Sequence, residues 1–130
     1  PILGICVGLQ VMGFGSDEGD MLGLGWIPGT VKRFDIKKIE FKPKLPHMGW
    51  NEIEVVTNNK YFNGIKNLDH MYFTHSYEFE LEEIRTISAY TIYNKKIVAA
   101  VEKDNIFGTQ FHPEKSQING LKMLGNFLKK

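Results

Sequence analysis

Apolar and polar positions change period along this chain, and the changes predict its elements. Residues 1–5, PILGI, are a short apolar run of strand length, and residues 7–14 carry Leu9 and Met12 at helical spacing. GSDEGDMLGLG, residues 15–25, is loop by composition. From Trp26 the pattern turns to β, with strands predicted at 30–34, 39–42 and 52–57. Between the last two lies KLPHMGWN, whose Pro46 and Gly49 predict a break in regular structure. One helical turn is expected at 60–65 and a strand at 71–74, running into His75, Ser76 and Tyr77. Residues 86–93 and 97–102 flank a hairpin turn at Asn94-Lys95-Lys96, and Asp104-Asn105 turns the chain into 107–111. Residues 116–128 predict an amphipathic helix that packs through Ile118, Leu121, Leu124 and Leu128. These elements make one domain, sheet-rich in the middle with a helix at either end.

Composition narrows the classes of function. Sixteen basic against fifteen acidic residues give a formal charge of +1, too even a balance for a nucleic-acid or anionic-membrane binder. The single cysteine can form no internal disulfide and fits a reducing, cytoplasmic setting. No apolar run reaches the length of a membrane span. The chain opens with Pro1 directly on a strand, so an N-terminal part of the domain is expected to precede it.

That single cysteine stands where the first strand meets the first helix. Gly4-Ile5-Cys6-Val7-Gly8 has the form of a nucleophile elbow, with sulfur in place of the usual oxygen. A helix N-terminus at Cys6 would favour the thiolate. A buried core cysteine is the other reading the pentapeptide leaves open. A nucleophile needs a base, and His112, just after the strand at 107–111, is a candidate. Pro113 fixes the chain direction, and Glu114 is spaced to reach back and orient the imidazole as the acid of a triad does.

With these residues in view, the sequence resembles the class I glutamine amidotransferases. Gly4-Ile5-Cys6-Val7-Gly8-Leu9-Gln10 and His112-Pro113-Glu114 carry the likeness. Pro46-His47-Met48-Gly49-Trp50-Asn51, Tyr72-Phe73-Thr74-His75-Ser76-Tyr77 and Lys115-Ser116-Gln117 narrow it to the glutaminase subunit of imidazole glycerol phosphate synthase. The resemblance implies a flavodoxin-like α/β fold: a central mixed sheet flanked by helices, filling residues 1–130 as one domain whose first strands and helices are missing. It also implies that glutamine is hydrolysed by Cys6, His112 and Glu114, with the Val7 N–H as one oxyanion donor. Gln10 and Glu18 would grip the substrate, and His75, Ser76 and Tyr77 would line the other side of its pocket, largely through backbone groups. No metal or organic cofactor is called for. Ammonia would pass to a (β/α)₈-barrel synthase partner docked near Trp50, Asn51 and Lys115. Taken singly, that tryptophan reads as core packing and that lysine as a solvated charge. Without the second oxyanion donor that the family draws from its N-terminal part, residues 1–130 alone would turn glutamine over poorly.

Three other readings stand beside this one. A paralogous amidotransferase supplying ammonia for amino sugars of surface polysaccharides would share the same triad. A flavodoxin-like cysteine hydrolase or peptidase would need Cys6 and His112 but not Gln10, Glu18 or His75-Ser76-Tyr77. A degenerate binding subunit would have no need for an intact triad.

Overall fold

The opening apolar run forms β1 (Ile2–Ile5), which Cys6 turns sharply into a single helical turn, α1 (Val7–Gln10). The computed structural model describes residues 1–41, 45–56, 60–66 and 68–129. After the long loop come β2 (Gly29–Arg33), β3 (His47–Val55), β4 (His70–His75), β5 (Tyr77–Leu81), β6 (Ile87–Tyr93), β7 (Lys95–Lys103) and β8 (Ile106–Thr109), and the chain closes on α2 (Gln117–Leu128). Six strands form one mixed sheet in the order β1-β8-β7-β6-β3-β4, while β2 and β5 pair antiparallel beside it. Among the described strand pairs, β1 and β8 alone run parallel, with Gly4 opposite Gly108 and Ile5 opposite Thr109. Their carboxyl ends therefore point the same way, which places the residues after them, Cys6 and Gln110 to Glu114, at one end of the sheet.

Two of the core clusters among the described residues seat the helices on the sheet. One gathers Ile53, Tyr61, Phe73, Phe107, Phe111 and Met123 around α2; the other gathers Leu9, Met12, Ile27, Val31, Phe79 and Val101 around α1. The second depends on the paired glycines. A Cβ on Gly4 would come within 2.6 Å of Met12 and 2.7 Å of the Gly8 carbonyl, and one on Gly108 within 2.6 Å of Leu9. Bare backbone at both positions lets α1 sit directly on β1 and β8. Gly8 has open space where its Cβ would be, so only Gly4 of the two flanking glycines is required for room.

Several expectations are corrected. The first helix ends at Gln10 rather than running to residue 14, because Met12 to Gly15 turn to pair with the loop and β2: Phe14 N–H bonds to Gly29 O at 2.8 Å. No strand forms at 39–41 and Lys42 lies outside the described residues; Ile36–Lys38 is instead a 3₁₀ turn begun by the Asp35 side chain, and Ile39 is buried beside Phe34 and Tyr93. The expected break at Pro46 and Gly49 is absent at the glycine, since β3 passes through Gly49, which takes φ 128° in register with Phe73. β5 has no counterpart among the expected strands.

The last correction concerns α2. Ile118, Leu121 and Leu128 are exposed, and the packed face is Gly120, Met123, Leu124 and Phe127. Gly120 decides which apolar stripe faces inward, because a Cβ there would stand 1.8 Å from the Pro113 carbonyl. Gly120→Ala is expected to cost about 3 kcal/mol, or about 10 °C in Tm for a domain of this size. An unchanged Tm would mean the helix does not seat on that turn. Among the described residues, no helix is long and apolar enough to cross a membrane.

Candidate active site

Cys6 adopts φ 52°, ψ −106°, a conformation that costs a non-glycine residue about 1–3 kcal/mol and is held only where the surroundings enforce it. Here they do: Cys6 N–H bonds to Thr109 O at 2.7 Å, continuing the β1–β8 ladder, and α1 begins at the next residue. The strain turns the thiol toward the neighbouring strands, where Sγ donates to the Thr74 carbonyl at 3.8 Å and accepts from Gln110 Nε2 at 3.6 Å.

The imidazole is held by its own turn and by β4. Pro113–Lys115 is a 3₁₀ turn that returns Glu114 toward His112, and His112 Nδ1 lies 2.7 Å from Glu114 Oε1. The carboxylate accepts, so the proton sits on Nδ1 and Nε2 is left as the basic atom. His112 N–H bonds to Tyr72 O at 2.9 Å, while Ser116 Oγ donates to His112 O at 2.6 Å and accepts from Tyr72 N–H at 2.9 Å. Ser116, to which the sequence assigned no role, thus ties the turn to β4. The imidazole and thiol are not themselves hydrogen-bonded. Glu114 is nonetheless near enough for its charge to act on the sulfur.

Burial holds the Cys6 thiol above its ordinary range, against the expectation that a helix end would favour the thiolate. The Val7 N–H is the next largest influence and lowers it, the Glu114 charge raises it, and Gln110 and Lys115 lower it. A helix of one turn carries too little dipole to outweigh a nearly sealed sulfur. At neutral pH the resting group is a thiol and needs a base to become a nucleophile.

Beside α1 opens a cleft of about 390 Å³ whose walls include Val7, Gln10, Ser16, Glu18, Met21 and Leu24. Gln10 and Glu18 are thus brought together. The His75–Ser76–Tyr77 corner does not line this cleft. The His75 ring turns inward, with Nδ1 donating to Tyr77 O at 2.7 Å and Nε2 2.9 Å from His47 Nδ1, and the Ser76 carbonyl accepts from Phe34 N–H at 3.2 Å. The Ser76 and Tyr77 carbonyls at that corner are therefore occupied. What β4 brings to the sulfur is Thr74 O, one residue earlier.

Trp50 is half exposed on β3, edge-on to Tyr72, whose carbonyl holds His112. Asn51 Nδ2 donates to Ile92 O at 2.7 Å, and Trp50 and Asn51 share a groove with Glu54, His70 and Tyr90. Lys115 is exposed on the turn behind the imidazole. Among the described residues, no three His, Cys, Asp or Glu side chains converge as metal ligands would.

Known proteins share this sequence and this fold. The family described as glutamine amidotransferase class-I matches residues 1–130. The chain is 57% identical over 129 residues to the imidazole glycerol phosphate synthase subunit HisH of Pelagibacter ubique, covering 98% of this chain and 61% of that protein. It is 44% identical over 127 residues to the subunit of the same name from Leptospira interrogans, covering 98% and 62%. The chain thus spans about three fifths of the length of these curated relatives. Among solved structures, a glutamine amidotransferase from Thermotoga maritima aligns with TM-score 0.63 at 20% identity, covering 98% of this chain and 46% of that one. The glutaminase domain of Trypanosoma brucei CTPS with bound acivicin aligns with TM-score 0.68 at 21% identity, covering 100% and 61%. At these identities the structural likeness speaks for the shared α/β fold alone.

Proposed function

The chain belongs to the class I glutamine amidotransferases, and from that premise we propose that it hydrolyses L-glutamine and delivers the ammonia to a synthase partner, as a glutaminase subunit of imidazole glycerol phosphate synthase would. The observation that carries this reading is the strained Cys6 elbow at the same end of the sheet as a His112–Glu114 pair bonded at 2.7 Å.

Cys6 gives its proton to His112 Nε2, and the sulfur attacks the side-chain carbonyl carbon of glutamine. Charge develops on the carbonyl oxygen, where the Val7 N–H is one donor. The protonated imidazole, its Nδ1–H held by Glu114, passes the proton to the departing nitrogen, and ammonia leaves behind a γ-glutamyl thioester. A water deprotonated at Nε2 then cleaves the thioester, releasing glutamate and the thiol. Gln10 and Glu18 hold the substrate from the α1 cleft, the Glu18 carboxylate serving the α-ammonium. No step requires a metal or organic cofactor.

Ammonia in neutral water is mostly protonated and inert, so a synthase gains by receiving it directly. Trp50, Asn51 and Lys115 are the residues proposed to face that partner, a (β/α)₈ barrel, in the cytoplasm. The half-exposed Trp50 ring beside the strand that holds His112 supports this placement. The names carried by relatives at 57% and 44% identity favour the histidine-pathway synthase over a polysaccharide amidotransferase.

A glutamine-analogue electrophile tests the reading directly. It is expected to label Cys6 at least about a hundredfold faster than a simple thiol of the same basicity, with protection by L-glutamine. Labelling no faster than a simple thiol, or unaffected by glutamine, would reject the assignment and favour a binding subunit.

A further inference from the structure

No motif in the sequence singles out Gln110, yet its side chain is fully buried in this region, with 0% of its surface exposed. It follows β8 directly, and its own N–H is fixed to Ala99 O at 2.8 Å, so the side chain has little freedom to wander. Both ends of the amide are used. Oε1 accepts from Gln10 Nε2 at 3.0 Å, and Nε2 donates to Cys6 Sγ at 3.6 Å. Gln10 is itself buried, and it lines the cleft beside α1. A continuous run of hydrogen bonds therefore leads from the cleft wall through two glutamines to the sulfur.

An apolar side chain would fill this position at no desolvation cost, whereas a buried amide needs partners for its polar atoms. The partners it has chosen are informative. As a thiol, Cys6 can point its proton at the Thr74 carbonyl; as a thiolate it has no proton for that carbonyl and becomes a much stronger acceptor. The Gln110 bond therefore gains strength on ionisation while the Thr74 bond is lost. Burial and the Glu114 charge oppose ionisation; the Val7 N–H and Lys115 favour it alongside Gln110. Of the side chains acting on the sulfur, Gln110 is the one whose donor contacts it directly.

We propose that Gln110 is a positioning residue that bridges the substrate cleft to the nucleophile, holding its amide N–H on the Cys6 sulfur in an orientation fixed by Gln10. This rests on the reading of Cys6 as the nucleophile. Its consequence is that a ligand engaging Gln10 changes how firmly the thiolate is held, linking occupancy of the cleft to reactivity of the sulfur.

The test is alkylation of Cys6 by iodoacetamide in the full chain, followed from pH 6 to 10, with Gln110→Met as a variant of similar volume. Loss of the donor is expected to move the profile about one pH unit more alkaline and to slow alkylation about tenfold at pH 7.5. A profile that does not move overturns the bridge. Should Gln110→Met fold poorly, the unmodified chain decides: the Gln110 side-chain amide resonance is expected to titrate in step with Cys6, and a resonance that stays fixed overturns the proposal. Alkylation consumes no glutamine, so the two readings fail separately. A shifted profile in a chain that never hydrolyses glutamine leaves the bridge standing and removes the amidotransferase reading. An unmoved profile in an active glutaminase does the reverse.

Discussion

Cys6→Ala is expected to reduce glutamine hydrolysis to background, a loss of at least about 10⁴-fold, and His112→Ala to do the same. The two losses arise differently. Without Cys6 no thioester can form, and the oxyanion donor proposed at Val7 is left with nothing to stabilise. Without His112 the sulfur remains, but burial and the Glu114 charge hold it as a thiol at neutral pH, so it attacks too rarely to matter. Glutamate release measured with the synthase partner present reads both. Synthesis from added ammonium salts should survive in either variant, because the proposal puts the acceptor chemistry in the partner. Glutamine-dependent turnover retained by Cys6→Ala would end the proposal.

Acid is expected to unfold this chain early, and the cause is a pair of buried imidazoles. His75 Nδ1 donates to Tyr77 O, so its Nε2 must accept from His47 Nδ1–H at 2.9 Å. This leaves His47 Nε2 as an acceptor, buried and without a partner among the described residues. A proton on His75 Nε2 would face the His47 donor, and on His47 the Asn51 side chain favours the proton but burial outweighs it. Burial accordingly pushes His47 down to about 4 and His75 down to about 3. Both lie below the unfolded value near 6.5, so the unfolded chain binds the extra protons. Their contribution is therefore fully present above about pH 6.5 and is lost as pH falls toward the folded values. At pH 5 each histidine costs about 2 kcal/mol, about 4 kcal/mol together, against total stabilities of about 5–15 kcal/mol for ordinary domains.

Urea unfolding at pH 7, 6 and 5 checks this, with a slope approaching about two protons at the acid end. His47→Phe, a ring of similar shape between Phe73 and Tyr93, should halve that slope while lowering stability at pH 7, since His75 Nε2 loses its donor. Stability that does not change between pH 7 and 5 would contradict the arrangement. The link to the site is short, because Thr74, which contacts the sulfur, is the residue before His75.

Legibility in the sequence followed the range of the interactions involved. β1, β6, β7 and β8 were readable because their alternation and turns are local. α2 was readable as a helix but not for its buried face. Two apolar stripes run along it, and the choice between them was made by Gly120 meeting Pro113 O, a contact no periodicity encodes. β3 ran through a glycine that the sequence marked as a breaker, because pairing with β4 from His47 to Glu52 outweighs the local preference. At the site, Cys6, His112 and Glu114 announced themselves by motif, since Glu114 reaches its histidine across two residues. Gln110 did not. The available signal was a lone amide between Thr109 and Phe111 in an otherwise apolar strand end, and burial was needed to give it meaning.

The order of residues by itself determined which chemistry this chain carries: a thiol at a strand-to-helix corner, an imidazole with a carboxylate two residues on, and the elements that present them. Such features depend on neighbours a few positions apart, and spacing is enough to specify them. Only the tertiary structure decided that the sulfur rests protonated, that an unremarked amide touches it, and that two further histidines are locked neutral in the core. Those outcomes depend on burial and on contacts between strands far apart in the chain, where the energy of a group is set by whatever the fold packs against it.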